Sequence, residues 1–125
     1  MSRHQRLANQ ALRVALTNIE DLRYKFGAVL VRKGKVLAKA SNTSKTHTIV
    51  VNYPRQSLHA ESNALSKIDD PTGCTLYIVR ARSGKFAPSR PCPFCRKLIA
   101  KFKIDKVYFF EETPTGVRLV SERLI

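Results

Sequence analysis

The sequence predicts an α/β protein: a three-layer α/β/α sandwich in which helices cover both faces of a mixed five-stranded sheet. Segments with apolar residues at three- and four-residue spacing alternate with short β-branched runs, in the order α-β-β-α-β-α-β-β. Only Lys33-Gly34 separates the first two apolar runs, which makes them a hairpin. Six residues, Glu111 to Gly116 (EETPTG), separate the last two. A parallel crossover needs about a dozen residues or more, so the last two strands are expected to be antiparallel.

From Arg3 to about Asn18 the chain reads as an amphipathic helix, with Leu7, Ala11, Val14, Ala15 and Asn18 inward and Arg6 and Arg13 outward. Phe26 to Arg32 (FGAVLVR) is a buried strand, and Lys35 to Ser41 (KVLAKAS) alternates as its return. Asn42 to Gln56 is a polar loop. Ser57 is expected to cap a helix over Leu58 to Lys67, and Asp69-Asp70-Pro71-Thr72-Gly73 to stop it. Cys74 to Arg80 (CTLYIVR) is the third strand and Ala81 to Arg90 a long basic loop. Pro91 suits the first turn of a helix that runs to about Phe102. Lys106 to Phe110 (KVYFF) and Val117 to Arg123 complete the sheet.

At 125 residues and 43% apolar, the chain is expected to be a single folded domain, residues 1–125, with a core that needs no disulfide. No apolar run approaches the roughly 18–20 residues of a membrane span, so no membrane partner is expected. Met1 to Arg6 is basic with no apolar segment behind it, so no secretory signal is expected. The three cysteines, Cys74, Cys92 and Cys95, are odd in number, and two form a C-x-x-C pair. That suits thiolate ligands in a reducing compartment, and a cytoplasmic location is the expectation. The formal charge is +14, and Phe26 to Leu58 holds Arg32, Lys33, Lys35, Lys39, Lys45 and Arg55 with no acid. Such a field attracts phosphates and polyanions, though a solvated basic surface also keeps a protein soluble.

The chemistry concentrates in Pro91-Cys92-Pro93-Phe94-Cys95 and the earlier His59-Ala60-Glu61. Two thiols three apart at a helix start can face one metal ion. With one imidazole they make three ligands of the kind zinc takes, leaving a fourth position for water, as in catalytic sites. Glu61 is then a spare carboxylate beside that water and a candidate proton carrier. Two helix N-termini converging there would favour thiolates. Other readings stand beside this one. The C-x-x-C could be a redox pair, His59 an ordinary surface or core residue, or the site structural with Cys74 or His47 as fourth ligand. Cys74 opens a buried strand and reads better as a core thiol.

His-x-Glu followed by Pro-Cys-x-x-Cys is the signature of zinc deaminases. The chain resembles the cytidine deaminase-like superfamily, the CMP/dCMP-type deaminase domain, over nearly its whole length. The resemblance rests on Phe26 to Val31, Asn42, His59-Ala60-Glu61, Pro91 to Cys95, and Cys95-Arg96-Lys97-Leu98-Ile99-Ala100-Lys101-Phe102. The antiparallel final hairpin points to the branch of free cytidine deaminases. The chain departs from that branch in two places. It has His59 where the branch usually has Cys, and Asn42-Thr43-Ser44 where the branch commonly has Asn-x-Glu against the ribose. The missing carboxylate would spare a phosphate repulsion, and Ser44, Lys45 and His47 stand where they could accept one.

The resemblance implies zinc on His59, Cys92 and Cys95. It implies Glu61 moving a proton from water to the ring nitrogen and then to ammonia, as C4 of cytosine is hydrolysed to give uracil. It implies that Ala60 and the cysteine helix with Pro91 hold the base and that Asn42 holds the sugar. Ala28 would leave room for the ring, and Phe26 or Tyr53 would stack on it. Three functions follow. Deamination of cytosine in single-stranded nucleic acid is favoured by the charge and by the basic Lys85-to-Arg90 loop. Deamination of a free cytidine- or dCMP-type nucleoside or nucleotide is favoured by size and by the last hairpin. A non-catalytic, zinc-stabilised nucleic-acid-binding domain would have no need of Glu61. Adenine or guanine substrates also fit the superfamily. Apolar helix faces would permit a homo-oligomer, which the positive charge opposes unless an anion sits between subunits.

Overall fold

A computed structural model describes residues 2–17, 25–41, 68, 70–82, 84–90 and 93–123, with Pro93, Phe94, Cys95 and Leu98 described by their backbone. In chain order the elements are α1 (Arg3–Leu16), β1 (Lys25–Arg32), β2 (Lys35–Ser41), β3 (Thr75–Arg82), β4 (Lys85–Ala87), α2 (Pro93–Lys101), β5 (Lys106–Thr113) and β6 (Gly116–Arg123). The expected helix over Leu58 to Lys67, with its cap Ser57, lies outside the described residues.

The strands form one sheet in the order β2-β1-β3-β5-β6, with β4 paired to β3 off that path. β1 is antiparallel to β2 and to β3, β3 is parallel to β5, and β5 is antiparallel to β6. The first hairpin turns at Lys33 and Gly34, whose φ values of 51° and 78° are the pair a tight two-residue turn requires. The last hairpin is antiparallel, as its length required. Its strands run to Thr113↔Gly116, so the connection is two residues, shorter than the expected loop.

Among the described residues the strands number six where five were expected. The supposed loop from Ala81 to Arg90 instead continues β3 to Arg82 and returns it as β4, with Arg80↔Ala87 and Arg82↔Lys85 paired. The physical reason is a vacant edge. β5 pairs with β3 only from Thr75 to Tyr77, so the far half of the same edge is left for β4. The signal was Ser83-Gly84, a turn dipeptide between two short alternating runs; Gly84 has φ +76°.

Alternation along β1 sends Ala28 and Leu30 to one face and Val29 and Val31 to the other. The first face forms a cluster with Ala38, Ala40, Leu76, Ile78, Phe109 and Ile99 of α2. The second meets Leu7, Ala8 and Ala11 of α1, with Tyr77, Val79 and Phe110. The two helices therefore lie on opposite faces, and the three layers are as expected. α1 starts at Ser2, whose side chain accepts from the backbone N–H of Gln5 at 3.1 Å. Its buried side is Leu7, Ala8, Ala11 and Ala15, close to the expected stripe. Small residues there bring it against β1: a Cβ on Gly27 would sit 2.0 Å from the carbonyl oxygen of Ala11. α2 ends in a left-handed residue, Lys103 (φ 58°), with Lys103 N–H bonded to Ala100 and Ile104 N–H to Ile99. No helix among the described residues is long and apolar enough to cross a membrane.

Candidate metal centre

Parallel strands joined by a helix present their carboxyl ends, and the start of that helix, to a ligand. Here the parallel pair is β3 and β5, and α2 joins them. The chain leaves β4 at Ala87, passes Pro88, Ser89 and Arg90, and enters α2 with Cys95 in its first turn. Unpaired N–H groups of a first turn favour a thiolate. Sheet register brings other expected residues to the same end. Ser41 pairs with Gly27, the residue that follows Phe26. Phe26 pairs with Arg80, and Ala28 with both Ala40 and Ile78. Phe26 is partly buried and Ala28 fully buried, both against the cluster on the α2 face.

Ser89 is a residue that the sequence reading missed. It is 3% exposed. Its hydroxyl donates to the carbonyl of Ile78 at 2.8 Å and accepts from the N–H of Phe110 at 2.9 Å. Its own N–H donates to the carbonyl of Phe110 at 2.8 Å. It thus joins β3 and β5 just past the point where their direct pairing stops, and fixes the backbone three residues before Cys92. A lone serine in a basic, proline-containing segment carries no sequence signal of such a role.

Charged side chains flank the cysteine stretch. Arg90 lies 3.4 Å from Glu111 and 3.4 Å from Glu122, with its guanidinium 4.6 Å over the ring of Phe109. Arg96 also pairs with Glu122, and Arg118 with Glu111 at 2.7 Å. The hydrogen bond from Arg96, followed by its charge and that of Arg90, holds the Glu122 carboxyl below the usual carboxylate range.

Of the expected site residues, Phe26 and Ala28 are described and Cys95 is placed by its backbone. Asn42, Ser44, His47, His59, Ala60, Glu61, Pro91 and Cys92 lie outside the described residues, as do Lys45 and Tyr53. Among the described residues no three of His, Cys, Asp or Glu stand together as a metal group. Cys74 is where a core thiol should be. It is fully buried, free, and burial raises its pKa. Gly73 N–H donates to the carbonyl of Lys103 at 2.9 Å, so Cys74 sits by the end of α2. Cys95, in the first turn, is about 9 Å away along the axis. Two thiolates on one zinc lie within about 4 Å of each other, so a zinc ion held by Cys95 would have Cys74 out of reach. The donor set of Cys92, Cys95 and His59 does suit zinc: two thiolates and an imidazole, one thiolate at a helix start.

Comparisons with known proteins give the family and the fold. The family model described as the cytidine and deoxycytidylate deaminase zinc-binding region matches residues 1–111. The crystal structure of dCMP deaminase from the cyanophage S-TIM5 in its apo form is similar, with a TM-score of 0.58 and 31% identity. That match covers 83% of this chain and 79% of the phage chain. The same enzyme in complex with dCMP and dUMP matches with a TM-score of 0.56 and 30% identity, over 82% of this chain and 76% of that one. The cytidine deaminase from Burkholderia pseudomallei shares the fold, with a TM-score of 0.65 at 22% identity, over 97% of this chain and 93% of that one. No curated protein matches the sequence.

Proposed function

The chain belongs to the family of cytidine and deoxycytidylate deaminases, which are zinc-dependent hydrolases, and on that premise we propose that it deaminates the cytosine of a free nucleotide, with dCMP the leading substrate. The observation that carries this reading is the likeness to a dCMP deaminase at 31% identity over 83% of the chain. Among the structural relatives, the phage enzyme is named for dCMP and the Burkholderia enzyme for cytidine. The mononucleotide therefore replaces single-stranded nucleic acid as the leading reading, and the +14 charge serves to attract a phosphate.

In this reading His59, Cys92 and Cys95 hold the zinc ion. When bound, the ion supplies Lewis acidity that makes a water nucleophilic near neutral pH. Glu61 would carry one proton of the attacking water to the ring nitrogen and, after addition at C4, the remaining hydroxyl proton to the departing amino group. Water adds at C4, the C4–N4 bond breaks, and uracil and ammonia are formed. Asn42 holds the sugar, and the backbone at Ala60 and Pro91 holds the base. The small pair Ala28 and Ala40, side by side on the α2 face, leaves the ring its space, and Phe26 stacks at its rim. Ser44, Lys45 and His47 take the phosphate.

The test is a deamination assay on cytidine, dCMP and a cytosine-containing single-stranded oligonucleotide, each at low and moderate salt. We expect dCMP to react best and the oligonucleotide to be inert. An oligonucleotide that reacts best, with a rate falling steeply as salt rises, overturns the substrate. Glu61→Gln should lower kcat by about 10²–10⁴ with zinc retained; full activity in that variant would sink the mechanism.

A further inference from the structure

Two arginines bracket the cysteine stretch, and one carboxylate holds both. Arg90 stands two residues before Cys92, and Arg96 directly follows Cys95. Nη1 of Arg90 is 3.4 Å from Oε2 of Glu122, and Nη2 of Arg96 donates to Oε1 of the same group. The second arm of Arg90 reaches Glu111 at 3.4 Å. Arg118 steadies Glu111 through two nitrogens, at 2.7 and 2.9 Å. Glu122 belongs to β6, which lies beyond the residues 1–111 that match the zinc-binding region of the family. The carboxylate thus comes from a part of the chain outside that region.

We propose that Glu122 is a positioning residue of the metal centre, tying both ends of the Cys92–Cys95 stretch to β6 and so fixing the spacing of the two thiolates. This rests on the reading of Cys92 and Cys95 as zinc ligands. An isolated exposed ion pair contributes little to folding. Here the two pairs share one acceptor, and what they restrain is local. The fold on this side is already held by Ser89 and by the cluster around Ile99. A zinc site accepts sulfur positions only within a few tenths of an ångström, and groups behind the ligands set its affinity. Without the restraint both sulfurs must be gathered at a larger entropic cost, which is felt as faster loss of zinc.

The experiment is zinc release from the holoprotein into excess chelator, well below the melting temperature. Glu122→Gln should speed release by about tenfold. Glu111→Gln, which frees only one arm of Arg90, should do less, and Glu112→Gln, exposed on the same hairpin, should leave it unchanged. In an Arg90→Gln, Arg96→Gln background, Glu122→Gln should add nothing further. Release at the wild-type rate in Glu122→Gln overturns the proposal, as does a lowered melting temperature with unchanged release. An equal effect in the arginine-free background overturns it too. Cys95→Ala separates the premise: if it keeps its zinc, the ligand reading has failed, whatever Glu122→Gln does.

Discussion

On one face of the sheet α1 lies backbone to backbone on β1; on the other, the approach to α2 is moored by hydrogen bonds and ion pairs. The α1 contact is made through small residues, Ala11 and Ala15 over Gly27, with no space for one more methyl group. Around it Leu7, Val29, Val31 and Val79 close a cluster with Tyr77 and Tyr108, whose rings stack on each other, and His4 stacks on Tyr108. The α2 side has small residues too, Ala28 and Ala40, but there they lie level with Ile78, the strand residue that Ser89 grips. Ser89, Arg90 and Arg96 attach that side to β3, β5 and β6. Close packing resists any shape change and suits a face that only has to stay folded. Directional polar bonds fix a loop at a chosen position, which is what a ligand-bearing stretch requires.

The comparison can be broken first at Gly27. Gly27→Ala drives a Cβ into the Ala11 carbonyl, and neither backbone can yield without moving α1. We expect a loss of about 3 kcal/mol in urea unfolding, with zinc per folded molecule unchanged. A variant as stable as the parent would show that α1 is free to shift. Ser89→Ala comes next. It leaves the Phe110 N–H and the Ile78 carbonyl buried without their partner, a cost of about 2 kcal/mol. Unlike Gly27→Ala, it should also weaken zinc binding, because the segment before Cys92 loses its anchor. Equal zinc affinity in both variants would remove the distinction between the two faces.

A third expected effect is a pH dependence on the α1 side. Burial, with the neighbouring Tyr108 second, pushes the phenol of Tyr77 up to about 12 from 10.0. A raised pKa stabilises the fold below the unfolded value and is lost as pH climbs through the folded one. Stability should therefore hold to about pH 10 and fall between 10 and 12, by on the order of 2 kcal/mol. Tyr77→Phe should flatten that decline in unfolding titrations; an unchanged slope would place the cause elsewhere.

Much of this was written locally. The hairpin turn at Lys33-Gly34, the alternation along β1 and β2, and the antiparallel final pair follow from nearest-neighbour chemistry and loop length. Cys74 announced itself as a core thiol by opening an apolar run. The donors of His-x-Glu and Pro-Cys-x-x-Cys suit zinc, and their resemblance to the zinc deaminase signature pointed to the family that the comparison shows. What tertiary structure decided were contacts between residues distant in sequence. β4 exists because β5 covers only half of one edge of β3; the Ser83-Gly84 turn dipeptide marks a reversal but not the free edge that receives the returning strand. The role of Ser89 depends on two strands diverging around it. Glu122 meets Arg90 and Arg96 only because β6 folds back beside β5. Hydrophobic pattern is a property of a segment, whereas an edge, a gap between strands or a shared carboxylate is a property of segments brought together.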